Sequence, residues 1–335
     1  MSDFKTLKGL YIKHVSSDPS NLIEGQIWYN TSTQTLKIAP LLGAVASGGN
    51  LNTATRACFS AGTQTAALKS SGANPSTNYG ALVEEYDGSS WTEVTNCNTA
   101  RDEANRGLVG TQTSSVIFGG APPPSGYSAN TETYDGTNWT ETGNLSTARG
   151  SGMALGTQTA AVCCGGVKGG DPYWTEETEE FDGSSWTAGG AYPRHNTNHT
   201  GVGTLTAGLG ISGSEHPSDS YPGKAVVATC KTYDGSSWTA APAVNTGAIV
   251  GASTGTQTAA LFAGGAPPHP GVGMEEFDGS SWTALSAALS TATNNLMAAG
   301  TTTASVFAGG QPPGGNINTT QEFTKSVTTR SVDTS

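Results

Sequence analysis

Few residues of this chain combine a reactive type with a suggestive spacing. His195 and His199 stand four apart, and His216 follows in the same stretch. On a helix that spacing would aim two imidazoles at one zinc ion. The surrounding Arg-His-Asn-Thr-Asn-His-Thr is not helical in pattern, so the helix logic fails. An irregular metal site in a divergent stretch stands against the plainer reading of a solvated polar loop. Glu84-Glu85, Glu179-Glu180 and Glu275-Glu276 resemble acid–base pairs, but they recur at one phase of a repeat. A position repeated along a chain is structural, so no catalytic residue, metal or cofactor is expected. Binding is a better prospect. Tyr79, Tyr127, Asp171, Tyr173, Trp174, His216, Tyr221 and His269 sit in stretches of unequal length. Rings of this kind stack on apolar sugar faces, and the polar groups take hydroxyls.

The scaffold behind these stretches is an internal repeat. Gly62-Thr63-Gln64-Thr65-Ala66-Ala67-Leu68 begins a strand-like run that ends in a glycine pair in most copies. It recurs at Gly110 to Gly120, Gly156 to Gly166 and Gly255 to Gly265, and more loosely at Gly203 to Gly213 and Gly300 to Gly310. The six starts lie 48, 46, 47, 52 and 45 residues apart. A second unit is Tyr86-Asp87-Gly88-Ser89-Ser90-Trp91, with copies at Tyr134 to Trp139, Phe181 to Trp186, Tyr233 to Trp238 and Phe277 to Trp282. A third is Thr99-Ala100-Arg101, repeated as Thr147-Ala148-Arg149 and, without the arginine, Thr291-Ala292. Asp-Gly between aromatics predicts a hairpin. Each period then holds four strands. One follows Thr-Ala-Arg, one ends at Gly-Gly, one ends at Tyr or Phe, and one carries Trp. Four antiparallel strands repeated six times predict a β-propeller, with the aromatics filling the wedges between sheets.

Composition agrees. Only 12% of the 335 residues are charged, 46 are Gly, and Thr is abundant. That disfavours helix bundles and α/β enzymes. The net charge of −11 without a basic cluster predicts no nucleic-acid partner. No apolar run approaches a membrane span, so no membrane insertion is expected. No apolar signal core follows Met1-Ser2-Asp3-Phe4-Lys5, which predicts a protein assembled in a cytoplasm. Five Cys without a CxxC pair read as buried thiols.

Gly-Gly after strand two, Tyr or Phe ending strand three and Trp in strand four resemble the kelch family over about residues 41–325. The tight Asp-Gly-Ser-Ser connection departs from the usual kelch spacing. With Gly-Thr-Gln-Thr-Ala-Ala it resembles kelch-like repeats encoded by marine bacteriophages. The resemblance implies an all-β, six-bladed kelch-like propeller. Only five Trp strands follow the repeats, and the sixth copy runs out at Gln321-Glu322-Phe323-Thr324. Leu42–Ser47, with Val45 in the Trp position, is therefore predicted to supply the missing strand and close the ring.

Residues 1–40 lie outside the repeat, and residues 326–335 read as a C-terminal tail. Gly25-Gln26-Ile27-Trp28-Tyr29-Asn30 and Thr35-Leu36-Lys37-Ile38 read as a hairpin. This segment resembles short N-terminal modules of phage tail and other virion proteins. The resemblance implies attachment to other virion proteins through residues 1–40, with Tyr11, Trp28 and Tyr29 as the candidate contacts. The expected function is then that of a virion structural protein, a tail fibre, spike or decoration subunit. Its propeller would adhere to a host-surface glycan or protein, and a homo-oligomer is expected. A carbohydrate-active hydrolase or oxidase is the alternative, and a plain assembly protein a third. Tyr-Asp-Gly-Ser-Ser-Trp differs in spacing from the Asp box of sialidases. No Tyr, His and Cys set identifies the copper chemistry of galactose-oxidase-like enzymes.

Overall fold

Threonine, valine and small residues between glycines favour extended backbone, and the protein is all-β, with short strands mostly in four-stranded antiparallel sheets. The computed structural model describes residues 12–76, 78–102, 108–169, 173–216 and 225–332. Among them no helix is long and apolar enough to cross a membrane. The chain divides into two compact units, Val45–Phe323 and Met1–Ala44 with Thr324–Ser335.

The larger unit is propeller-like. Its first sheet runs Phe59–Thr63, Ala66–Ser70, Val83–Tyr86 and Trp91–Val94 in order. Thr63 pairs with Ala66, so Gln64 and Thr65 form the corner. Gly-Thr-Gln-Thr is therefore a hairpin between two strands, not the start of one. At the next turn Asp87 Oδ1 accepts the N–H groups of Ser89 and Ser90, both at 2.8 Å. Gly88 alone takes the positive φ, +92°. Tyr86 then faces Trp91, their rings stacked 4.8 Å apart.

The second to fifth sheets repeat this order from Leu108–Thr111, Met153–Thr157, Thr200–Thr204 and Ala252–Thr256. The sixth sheet is Met297–Gly300, Ala304–Ala308, Thr320–Val327 and then Leu41–Ser47. Gly48 N–H donates to Thr320 O at 3.0 Å, as Gly189 N–H donates to Thr178 O at 2.9 Å. Three residues back on one strand and forward on the other, Trp186 faces Phe181. The same step sets Val45 opposite Phe323.

Neighbouring sheets are joined in three ways. First, the apolar core lies between successive repeats. One cluster joins Phe59, Leu68 and Val83 to Leu108, Ile117, Tyr134 and Trp139. A fully buried Leu of this kind contributes about 2 kcal/mol. Second, Gln112 Nε2 donates to Ala67 O and Tyr86 O of the preceding sheet, and Gln158 does the same to Ser115 O and Tyr134 O. Third, the residue pair ending strand two is left-handed. Gly119 and Gly120 have φ of +67° and +95°, open at little cost only to glycine. This turns the second N–H toward the next repeat. Gly72 donates to Arg101 O, Gly120 to Arg149 O, Gly166 to Asn196 O, Gly213 to Ala248 O and Gly265 to Thr293 O, at 2.8–3.2 Å. Gly310 donates to Thr55 O at 2.7 Å, from the sixth repeat to the first.

The recurring glutamates complete these joints. Glu132 accepts the N–H groups of Asn98 and Thr99 and pairs with the buried Arg101. Glu179 accepts Ser146 N–H at 2.7 Å and pairs with Arg149 at 2.6 Å. The second glutamate of a pair takes the next repeat's tyrosine: Tyr134 O–H donates to Glu85 at 2.9 Å, and Tyr233 O–H to Glu180. Burial, and then the carboxylate each donates to, Glu322, Glu85 and Glu180 in turn, push Tyr86, Tyr134 and Tyr233 well above the usual phenol range.

The fourth repeat departs from the others. Ser214–Val227 reads in sequence as a connection. The structure instead pairs His195–Thr197 with Ser214–His216, and that strand with Ala225–Val226, as an added three-stranded sheet.

The smaller unit is a four-stranded sheet ordered Lys13–Val15, Ile27–Asn30, Thr35–Ile38 and Arg330–Ser331. Its first pair is parallel, its others antiparallel. Residues 326–335 are thus not a free tail over their described part. Trp28 is fully buried and donates its Nε1–H to Asp18 at 3.0 Å. Lys37 Nζ and Asn30 Nδ2 also donate to Asp18, each at 2.7 Å. These donors, Lys37 first, lower its carboxyl to about 2.

Candidate functional site

The sequence-derived binding set does not converge. Among its described members Tyr173 is the exposed one, at 46% of its surface. It stands edge-on to Trp174, whose own ring is buried and stacks on the buried His216 at 3.9 Å. His269 is also buried, and burial lowers its pKa. Trp174, His216 and His269 are therefore interior residues, although they read as exposed from sequence. Tyr79 and Tyr127 are half-buried on other repeats. Asp171 and Tyr221 lie outside the described residues, as does Tyr11 of the attachment set. Trp28 is the centre of the small unit rather than a surface contact, and Tyr29 is half-buried beside His14, 5.1 Å between rings. His195, His199 and His216 do not converge on a metal. Among the described residues no three His, Cys, Asp or Glu side chains are grouped to hold one.

The five cysteines are buried free thiols. Burial pushes Cys163 and Cys164 up to about 12 and Cys58 and Cys230 to about 11, which keeps them protonated and inert.

The structure assembles a different site. A cavity of about 330 Å3 is lined by the start of all six first strands: Phe59, Leu108, Ala154, Thr200, Ala252 and Met297 each contribute. Each of these strands also packs against the next, Met297–Gly300 against Phe59–Thr63 included. The cavity floor adjoins a narrower space of about 130 Å3, lined by the repeated glycines Gly62, Gly110, Gly156, Gly203, Gly255 and Gly300.

Its rim is unusual. Ala57, Ser151, Asn198, Val250 and Asn295 have φ of +50°, +56°, +58°, +57° and +55°. Each stands five residues before the glycine of its Gly-Thr pair. The second repeat's equivalent, residue 105, lies outside the described residues. Non-glycine residues rarely adopt this conformation, and for the β-branched Val250 it is a true outlier. The rim is held by its own backbone: Ala57 N–H donates to Asn295 O, Asn295 to Val250 O, Val250 to Asn198 O and Asn198 to Ser151 O, at 2.8–3.4 Å. Below it, Thr200 and Ser253 hydroxyls bond at 2.7 Å, and Ser60 Oγ donates to Ala298 O at 2.6 Å. Arg56 is the charged side chain of the described lining, and Asp102 lies 3.8 Å from it.

Sequence reasoning missed this rim because Ala, Ser, Asn, Val and Asn share no side-chain chemistry. The available signal was phase alone: five residues before each repeated glycine, with two asparagines that tolerate the left-handed backbone.

No known family matches the sequence, and no curated protein matches it. Among 236 matching solved chains is a structure of YjhT. It is 13% identical, with a TM-score of 0.67, and the match covers 84% of this chain and 100% of that one. At that identity the likeness is one of fold.

Proposed function

We propose that the protein is a virion-displayed adhesin of bacteriophage type. The larger unit is a closed six-bladed kelch-like propeller that binds a host-surface glycan, and the smaller unit attaches it to other virion proteins. Ring closure is supported by the six inter-repeat glycine bonds, the last returning from Gly310 to Thr55, and by Leu41–Ser47 completing the sixth sheet.

One observation carries the functional reading: the two units divide the surface chemistry between them. Among the described residues, three of the four exposed large apolar ones, Ile23, Ile27 and Val332, are in the small unit. Ile27, Tyr29, Leu36, Ile38 and Val332 share one face of its sheet, from their cross-strand pairing. An apolar sheet face and open edge strands suit protein–protein attachment. The large unit instead offers a polar cavity and unequal loops, as a rigid binding scaffold does.

The test uses the full chain in two assays, particle incorporation and attachment of labelled protein to host cells. Ile27→Asp with Val332→Asp is expected to abolish incorporation and spare cell attachment. Tyr173→Ala is expected to weaken attachment by a few-fold and spare incorporation. Wild-type protein that attaches to no host cell would refute the adhesin reading.

A further inference from the structure

We propose that Asp135 is the site at which this chain modifies itself: its carboxyl condenses with the Gly136 amide and reopens as isoaspartate, ahead of the other Asp-Gly turns. The inference goes beyond the adhesin reading and does not rest on it. Asp-Gly recurs at Asp87, Asp135, Asp182, Asp234 and Asp278, each an exposed aspartate between strands three and four of its sheet. Every residue of these turns is described. The glycine carries no Cβ to shield its nitrogen, and in each of the five turns its N–H donates to no group of the described protein. In the reaction that nitrogen attacks Cγ of the protonated carboxyl. The N–Cγ bond forms, the Cγ–O bond breaks, and the oxygen leaves as water with the carboxyl and amide protons. Water then opens the five-membered imide. Attack at the main-chain carbonyl breaks its bond to the glycine nitrogen and leaves the chain linked through Cγ. No oxidant or cofactor enters, and the mass of the chain is unchanged.

The two residues after the glycine separate the five turns. After Asp87, Asp182, Asp234 and Asp278 they are Ser-Ser. There Oδ1 accepts both serine N–H groups at 2.8 Å and the first hydroxyl at 2.7–2.9 Å, and Oδ2 accepts the second hydroxyl at 3.1–3.4 Å. After Gly136 the pair is Thr137-Asn138. Both N–H groups still donate to Asp135, at 2.8 and 2.7 Å, but no hydroxyl does. Such donors favour the ionised carboxylate, which resists attack, and they must be broken before Cγ can turn to the nitrogen. Led by the Ser90 and Ser185 N–H groups and the Ser236 and Ser280 hydroxyls, they hold the four Ser-Ser aspartates at about 2. Asp135 is lowered by the Asn138 and then the Thr137 N–H alone among its leading donors. The position also matters. The turn joins Tyr134 to Trp139, whose rings stack 4.8 Å apart. Tyr134 O–H donates to Glu85 and Trp139 Nε1–H to Thr95 O, both toward the first repeat, while Gln158 of the third donates to Tyr134 O. An extra methylene in the backbone misaligns that ring pair and loosens the second repeat on both sides.

The experiment ages the full chain for weeks in warm, weakly acidic buffer. Isoaspartate is then mapped peptide by peptide with electron-transfer fragmentation, which tells the two isomers apart at equal mass. Asp135 is expected to convert about tenfold faster than Asp87, Asp182, Asp234 or Asp278, the worth of two exposed hydroxyl bonds. Thr137→Ser with Asn138→Ser installs the missing hydroxyls and should bring Asp135 down to the rate of the others. Ser184→Thr with Ser185→Asn is the reverse exchange, should raise Asp182 to the rate of Asp135, and serves if the first variant fails to fold. In denaturant the five turns should react at one rate, because the folded hydrogen bonds are gone. Equal rates in the folded protein overturn the proposal, as does a rate at Asp135 or Asp182 that its exchange leaves unmoved. A preference for Asp135 that survives in denaturant belongs to the local sequence and overturns it as well.

Discussion

The second and third repeats differ from the fourth in how they bury charge. In the second, Arg101 of the incoming loop pairs with Glu132 of strand three, and in the third Arg149 pairs with Glu179. In the fourth the same two positions hold Asn196 and Lys231. Asn196 O still accepts the glycine N–H of the preceding repeat, as Arg149 O does. Lys231 turns to Glu215 at 3.7 Å and lies over the Tyr192 ring at 5.3 Å. Glu215 belongs to the added sheet, within Ser214–His216. The fourth repeat also replaces the bridging glutamine with Leu205 and the wedge leucine, Leu145 in the third repeat, with Tyr192. Two positions changed sign or lost charge together, and an inserted element supplied the new partner. The backbone joints are therefore the invariant part of the repeat, and the side-chain joints are interchangeable solutions to one burial problem.

That comparison can be broken most severely at the buried ion pair. Glu132→Ala strands the Arg101 guanidinium away from water and should cost about 3–5 kcal/mol in chemical denaturation. A cost near that of an exposed pair would mean the pair is not buried as described. Lys231→Glu restores the residue of the first, second, third and fifth repeats, Glu84, Glu132, Glu179 and Glu275, yet it faces Glu215 and should destabilise by about 2 kcal/mol. Stabilisation by that change would show that the added sheet does not define the fourth repeat's joint. Gln158→Ala leaves Ser115 O and Tyr134 O without their donor and should cost about 1–2 kcal/mol. Val250→Gly should gain or lose under about 1 kcal/mol, since relief of the left-handed valine offsets lost packing and added chain entropy. A loss of several kcal/mol would show the rim to be unstrained.

The smallest effect is one of pH. The Ser185 N–H, the strongest of its donors, holds Asp182 at about 2, and Ser90 and Ser236 do the same for Asp87 and Asp234. A carboxyl depressed in the fold stabilises it above the unfolded value of about 4, and that contribution fades as pH falls toward 2. The melting temperature should therefore be level above pH 5 and drop between pH 4 and 2. Asp182→Asn should reduce that drop.

Much of the larger unit was legible because a period constrains many residues at once. Gly-Gly, Tyr-Asp-Gly-Ser-Ser-Trp and the Trp missing after Phe323 fix strand order, turn type and the need for a strand at Val45. The glutamate pairs were legible as structural for the same reason, although their partners were not. Burial in the loops was not legible. Trp174 and His216 sit in irregular stretches, and their stacking arises from a pairing of residues 195–197 with 214–216 that no period announces. The rim was hidden for the opposite reason: its position repeats, but its property is backbone conformation, which Ala57, Val250 and Asn295 reach with unrelated side chains. In the smaller unit the hairpin was readable from its alternation. The strand Arg330–Ser331 was not, because it pairs across nearly the whole length of the chain.

The central claim is that the six sheets close on themselves, with the sixth bonded to the first as each is to the next. Residue-resolved amide hydrogen exchange on the intact protein tests it most directly. The Gly310 amide, which donates to Thr55 O, should be protected to the same degree as the Gly120 and Gly166 amides within the run of repeats. Exchange of Gly310 at the rate of an open chain end, with Gly120 and Gly166 still protected, would contradict a closed ring.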